Sequence, residues 1–228
     1  MKITILGTGA VGQTIAARLF ELGHEVIMGT RDPKETQKRE SPNQITGKSF
    51  AEWYQDHSGI KLLPFKAAST FTDLVINATN GAATLDILSE IGASNLEGKI
   101  LLDLANPLDF SKGFPPSLFV CNTDSLGEQV QKKLPKTKVV KGLNTMNAYI
   151  MMHPHKITGD HHLFLSGNDQ EAKNSIIKLL LEIGWKNKNI IDLGDISTAR
   201  ATEMLLPVWL RLYKTLGHTN FNFHIQGA

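Results

Sequence analysis

The feature that most constrains the fold is the hexapeptide Gly7-Thr8-Gly9-Ala10-Val11-Gly12, a full GxGxxG pattern set between two apolar segments. Before it runs KITILG (2–7), a β-branched stretch that reads as a buried strand. After it, Val11, Ile15, Ala16, Leu19 and Leu22 fall at helical spacing, and Gly23 closes that helix. A second apolar run, EVIMG (25–29), follows at once. The glycine pattern alone is weak, but strand, turn, helix and strand in this order make a dinucleotide-binding unit. In such a unit Gly7 makes the tight turn, Gly9 lets the backbone approach a pyrophosphate, and Gly12 lets the helix pack on the sheet. The helix N-terminus supplies unpaired N–H groups and a partial positive charge to the diphosphate. Thr8, Ala10 and Val11 complete the predicted lining of that turn.

The rest of the chain repeats the alternation. Strands are expected at 60–64, 73–79, 98–106, 138–144, 162–168 and 189–194. Helices are expected at 49–59, 82–92, 125–135, 169–183 and about 197–216. The strands are apolar throughout, not alternating, which predicts a parallel sheet covered on both faces. Right-handed crossovers then give an α/β, doubly wound Rossmann arrangement. The expected organisation is a dinucleotide-binding core over 1–143. A small C-terminal strand and helix extension over 144–228 packs on it and completes an acceptor pocket. The Pro- and Gly-rich stretch 107–125 has no period and reads as a long loop, a common place for function.

Composition excludes several classes. With 41% hydrophobic and 20% charged residues, the 228-residue chain can bury a substantial core. A formal charge of +2 without a long basic block makes no case for nucleic acid. The single cysteine, Cys121, excludes an internal disulfide and a thiolate zinc site. No apolar run reaches the roughly twenty residues of a membrane span, so no membrane partner is expected. No signal peptide is recognised before the first strand, and the expected location is cytoplasmic.

The second strand ends in MGTRDP (28–33), where a fold of this kind reads the 2′ position of the adenosine ribose. Arg31 there matches phosphate geometry with two parallel charge-assisted bonds, Thr30 adds a hydroxyl and Lys34 a further charge. Asp32 lies beyond the strand end and reads as a helix N-cap before Pro33. These residues favour NADP(H). The alternative is a solvent-facing arginine beside an NAD site that uses Asp32.

Other chemistry-bearing groups weigh less. The three tyrosines, Tyr54, Tyr149 and Tyr213, lack the partners of a short-chain dehydrogenase set. His153, His155, His161 and His162 could hold a metal, but the pattern favours a surface loop, and no metal is expected. Arg200 and Glu203 sit three apart and could pair on one helix face. Pro207 should kink that helix, and its apolar run MLLPVWLRLY (204–213) is either core or a dimer face.

Taken together, GTGAVGQTIAARLFELGHEVIMGTRDP, KVVKGLNTMNA, FLSGNDQEAK and IIDLGDISTARATEMLLPVWLRLY resemble the coenzyme F420-dependent NADP reductase family, and the related reductase domain of the STEAP metalloreductases. The resemblance runs from the first strand to the last helix. It implies an NADP(H)-binding oxidoreductase that moves hydride between nicotinamide and a second redox partner, commonly F420 or a flavin. It implies that Thr30 and Arg31 hold the 2′-phosphate, and that the glycine turn, Asn77, Ala78, Thr79, Asn106 and Pro107 line the dinucleotide cleft. The last five also sit at strand carboxyl ends, where open α/β sheets bind ligands. The open face of the nicotinamide would look toward Asn144 and Met146, the expected acceptor pocket. Members that use F420 can carry histidine at the position of Asn144. Asparagine can hydrogen-bond a ring but cannot titrate near neutral pH, which leaves the small-molecule acceptor open. Pairing into homodimers is a further implication. Reduction of a small imine or carbonyl, and a non-catalytic NADP(H) sensor, are the alternatives.

Overall fold

In a computed structural model, which describes residues 1–43, 47–70 and 72–227, the apolar runs pair into one eight-stranded sheet. The strands are β1 (Lys2–Leu6), β2 (Glu25–Thr30), β3 (Lys61–Pro64), β4 (Leu74–Asn77), β5 (Ile100–Asp103), a small separate hairpin of β6 (Leu108–Asp109) and β7 (Ser117–Leu118), then β8 (Lys138–Gly142), β9 (Leu163–Gly167) and β10 (Ile190–Asp192). The sheet order is β10-β9-β8-β5-β4-β1-β2-β3, with the order reversing at β1. The helices are α1 (Ala10–Glu21), α2 (Pro33–Gln37), α3 (Phe50–Asp56), α4 (Phe65–Thr70), α5 (Gly81–Ile91), α6 (Leu126–Lys133), α7 (Ala148–Met152), α8 (Gln170–Ile183), α9 (Ala199–Met204) and α10 (Leu206–Leu216).

Strand periodicity splits the core in two. Ile3, Ile5, Leu74, Ile76, Leu102 and Val140 face one way and pack with Ile15 and Leu19 of α1, Phe50 and Trp53 of α3, and Ile176 and Leu180 of α8. Leu6, Val75, Leu101 and Val139 face the other way, onto Leu88 and Ile91 of α5, Leu126 and Val130 of α6, and Ala199 of α9. Both faces are covered, so the central strands are apolar at successive positions.

The sheet departs from the sequence expectation at its far edge. β8 and β9 pair antiparallel, Val140 opposite Gly167 and Gly142 opposite Leu165, so β9 and its parallel neighbour β10 oppose the other six strands. A parallel return needs a crossover back to the start of the sheet. The 143–162 segment instead holds only the short α7 and a three-residue 3-10 turn, and it re-enters from the carboxyl edge. The stretch 144–228 therefore extends the same sheet.

Two further readings are refined. The 107–125 stretch contains the β6–β7 hairpin and exposes Phe110, Phe114 and Phe119. The last helix is broken: α9 stops at Met204 and α10 restarts with Pro207 in its first turn, where the missing N–H costs nothing. Leu206 and Leu210 of α10 are buried, whereas Val208, Tyr213 and Leu216 are exposed. Among the described residues no helix is long and apolar enough to cross a membrane.

The glycine turn is sterically determined. Gly7 holds φ +107°, and a Cβ on Gly12 would lie 2.2 Å from the Gly7 carbonyl oxygen. Gly12→Ala must push α1 off the turn. Overpacking of this kind costs about 1–3 kcal/mol, so the thermal midpoint should fall by several degrees. An unchanged midpoint would contradict this account of the turn.

Candidate functional site

The carboxyl edge of β1, β2, β4 and β5 brings the predicted residues together, some lining a cleft and others buried behind it. The turn is tied to both neighbouring strands: Gly7 N–H donates to the Gly29 carbonyl at 3.0 Å, and Ala78 N–H to that of Leu6 at 2.9 Å. Gly9 is the N-cap of α1, and no side chain caps it and no acid stands in the first turn. The leading N–H groups of a twelve-residue helix are thus left to the cleft. A Cβ on Gly9 would meet nothing within 4 Å, so the backbone there is open to close approach. Toward β4 and β5 a cavity of about 180 Å³ is walled by Val11, Ala78, Thr79, Leu104, Asn106 and Phe110.

At the β2 end the electrostatics differ. Thr30 is buried and its hydroxyl pairs with that of Thr36 at 2.8 Å, so it braces α2 and does not point outward. Arg31 and Lys34 are exposed. Asp32 caps α2, its carboxylate accepting from Lys34 N–H at 2.9 Å and Glu35 N–H at 3.1 Å. Sequence reasoning missed Arg39. Its guanidinium donates to the Thr8 hydroxyl at 3.2 Å and the Thr8 carbonyl at 2.5 Å, and stands 5.1 Å over the Phe50 ring. Burial pulls its pKa below the ordinary arginine value. In the polar run after Pro33 nothing distinguishes Arg39 from its neighbours; only the fold of α2 and α3 returns it to the turn.

Asn77 is not a cleft wall. It is buried, and its amide donates to the Asp103 carboxylate at 2.7 Å while its oxygen accepts from the Thr79 hydroxyl at 2.6 Å. Asp103 accepts in turn from Ala105 N–H and from Lys141 Nζ at 2.9 Å. Lys141 is fully buried, and its ammonium also reaches Glu203 at 2.8 Å and the Ala105 carbonyl. Glu203 accepts from Leu126 and Gly127 N–H, the start of α6, at 2.8 and 2.9 Å. The expected Arg200–Glu203 pair is therefore replaced: Arg200 reaches across to Glu128 with two bonds of 2.8 and 2.5 Å. Their three-residue spacing sends the two side chains to different neighbours. Burial opposes the charge on Lys141, but Asp103 and Glu203 outweigh it and hold its pKa above the ordinary 10.5.

Asn106 and Asn144 lock together. Asn144 Nδ2 donates to Asn106 Oδ1 at 2.9 Å, and Asn106 Nδ2 donates to the Asn144 carbonyl at 3.0 Å. Asn106 lines the cavity, whereas Asn144, Met146 and Pro107 lie buried behind it. Met146 sulfur accepts from Asn222 Nδ2 at 3.8 Å, so the C-terminal segment backs this wall.

The histidines form no common centre, and the surface-loop reading fails for His161. It is buried, bonded to the Pro154 carbonyl and to Asn222, and set edge-on to Trp185. His162 accepts from Ile225 N–H, and His153 packs on Tyr149. Among the described residues no group of three possible metal ligands occurs. Met151 and Met152 belong to the core. A larger cleft, about 970 Å³, lies elsewhere, between α6 and the ends of β8 and β9. Of its acids, Glu128 and Asp169 are engaged by Arg200 and Lys138, and Asp124 by Ser125 N–H and the Gln129 amide, and none of the predicted site residues lines it.

Lys141→Met should strand two buried carboxylates. Breaking a buried pair from one side costs about 3–5 kcal/mol, read as a drop in the denaturation midpoint. In the unaltered protein the raised lysine pKa contributes stability that is whole below 10.5 and lost as pH climbs through the higher folded value. Stability constant across that alkaline range would contradict a charged Lys141.

A family model described as NADP oxidoreductase, coenzyme F420-dependent, matches residues 2–107. A crystal structure from Arthrobacter sp. FB24, which carries the provisional name F420-dependent NADP reductase, is 52% identical and superposes over the full length of both chains with a TM-score of 0.93. The F420-dependent NADP reductase of Methanothermobacter marburgensis is 27% identical over 93% of this chain and 92% of its own. Rat metalloreductase STEAP3 is 25% identical over 91% of this chain, which spans only 38% of that protein.

Proposed function

The chain belongs to the coenzyme F420-dependent NADP oxidoreductase family, and on that premise we propose that it transfers hydride between NADP(H) and a planar acceptor of the deazaflavin or flavin type. The observation that carries the NADP(H) half is the disposition of charge after β2. Arg31 and Lys34 are exposed at the strand end, while the one acid there, Asp32, is committed to capping α2. The strand end carries two exposed cations against one carboxylate whose Oδ1 already caps α2, so a 2′-phosphate would find guanidinium and ammonium there.

The residues fit the dinucleotide along its length. The uncapped α1 N-terminus and the bare backbone at Gly9 suit the diphosphate, and the cavity beside Val11, Ala78, Thr79 and Asn106 suits the nicotinamide end. When bound, NADPH supplies the hydride. The protein's part is alignment, which makes a bimolecular step effectively unimolecular. Asn106, held by Asn144, offers a fixed amide to that end of the cleft. Its neighbours are neutral or apolar, which suits a hydride transfer with no side-chain proton in flight. Phe110, exposed at the cavity rim, gives an apolar edge for an acceptor ring.

Titration with NADPH and NADH tests the first half. NADPH should bind the more tightly, and Arg31→Ala should weaken it about tenfold, one charge-assisted contact's worth, with NADH little changed. Equal binding of the two cofactors would overturn the NADP(H) reading. The acceptor half is tested by following NADPH oxidation with F420, free flavins and ferric chelates. Turnover confined to ferric chelates would sink the deazaflavin or flavin assignment.

A further inference from the structure

We propose that Arg39 is a second, inner guanidinium for the 2′-phosphate and sets the preference for NADP(H) together with Arg31. The inference rests on the NADP(H) reading above and adds a residue that neither the glycine turn nor the strand-end motif identifies.

Three observations carry it. The first is position. Arg39 lies just beyond α2, on the same excursion from β2 as Arg31 and Lys34, and its guanidinium returns to Thr8 inside the glycine turn. Thr8 is next to Gly7, whose N–H is bonded to the carbonyl of Gly29 in β2, so Arg39 stands between the turn and the end of β2. That is where the adenosine ribose of a dinucleotide lies in this fold.

The second is charge. Arg39 is half-buried and desolvated, yet among the described residues no carboxylate pairs with it; its polar partners are two oxygens of Thr8, and the Phe50 ring lies under it. Two other buried cations have acids, Lys141 with Asp103 and Glu203 and Lys173 with Asp192, whereas half-buried Lys99 instead fills the carbonyls of Ser69 and Thr70 away from the glycine turn. A desolvated cation facing neutral oxygens is an incomplete pair, and an anion completes it. Of the five N–H groups of a guanidinium, two are engaged by Thr8, which leaves donors for a phosphate.

The third is space. A cavity of about 310 Å³ opens beside the guanidinium, lined by Gly9, Ala10, Gln13, Ser41 and Phe50. It adjoins the turn at Gly9 and Ala10 and shares no lining residue with the cavity proposed for the nicotinamide, which Val11, Ala78 and Asn106 line. Phe50 under the guanidinium and Thr8 on its Nη1 and Nη2 fix the group's position, and its remaining N–H groups are the donors a phosphate would take.

The test is a set of binding titrations with NADPH and NADH on the unaltered protein, Arg31→Ala, Arg39→Met and Arg39→Lys. Met keeps the aliphatic stem and removes the fork; Lys keeps charge and loses the bidentate geometry. The expected result is about a tenfold or greater loss of NADPH affinity in Arg39→Met, a smaller loss in Arg39→Lys, and NADH binding within about twofold in both. Retained NADH binding also shows that the turn is folded. Equal losses for both cofactors would overturn the assignment in favour of a diphosphate or purely structural role. So would a full NADPH preference in Arg39→Met. If the unaltered protein shows no preference for NADPH, the NADP(H) reading itself fails; if it does, Arg31→Ala removes it and Arg39→Met does not, only the present inference fails.

Discussion

One buried ammonium organises the β4 and β5 end of the cleft. Lys141, at full burial, joins Asp103 at the end of β5 to Glu203 in α9, and Glu203 closes the first N–H groups of α6. Asp103 passes the constraint to Asn77, and Asn77 to Thr79 at the cavity wall. Strand ends far apart in sequence are thus held in one polar chain inside an apolar core. The same pair on the surface would contribute at most about 1 kcal/mol. Inside, each partner is costly unless all are present, so the cluster specifies one arrangement of the β4 and β5 loops more than it adds stability.

The two ends of the cleft follow different physics. At the β2 end exposed Arg31 and Lys34 and half-buried Arg39 create a positive field, suited to capturing a phosphate. At the β5 end the lining is neutral: an amide pair, a threonine and apolar carbons. On the proposed reading, affinity is concentrated where no bond changes, and the reacting end needs only shape and orientation.

Much of this was legible before any coordinates. GxGxxG between two strands and a helix announced the fold, because few other arrangements tolerate three glycines there. TRDP favoured the capping of α2 by Asp32 over its use as a ribose acceptor, since an acid directly before proline suits a helix N-cap. What was hidden is what depends on non-local return. Arg39 looks like any surface arginine until α3 brings Phe50 beneath it. Asn77 sits at a strand end, as a ligand-binding residue would, but its side chain turns inward to Asp103. The reversed direction of β9 depends on how few helical residues separate it from β8, which apolar periodicity does not report. Glu203 lay in a helix beside Arg200, and helical spacing could not reveal that each reaches for a different strand or helix.

Asp32 has a consequence for exchanging one nicotinamide cofactor for the other. Its Oδ1 accepts from the N–H groups of Lys34 and Glu35, so the carboxylate cannot swing toward a ribose diol without giving up the cap of α2. On the proposed reading, stripping the cations yields a chain that discriminates less, not one that has switched allegiance. A true switch requires a new acid at the strand end, at Thr30, and that residue's hydroxyl already anchors Thr36. On that reading selectivity and the seating of α2 are coupled in three consecutive residues, and altering one re-opens the other.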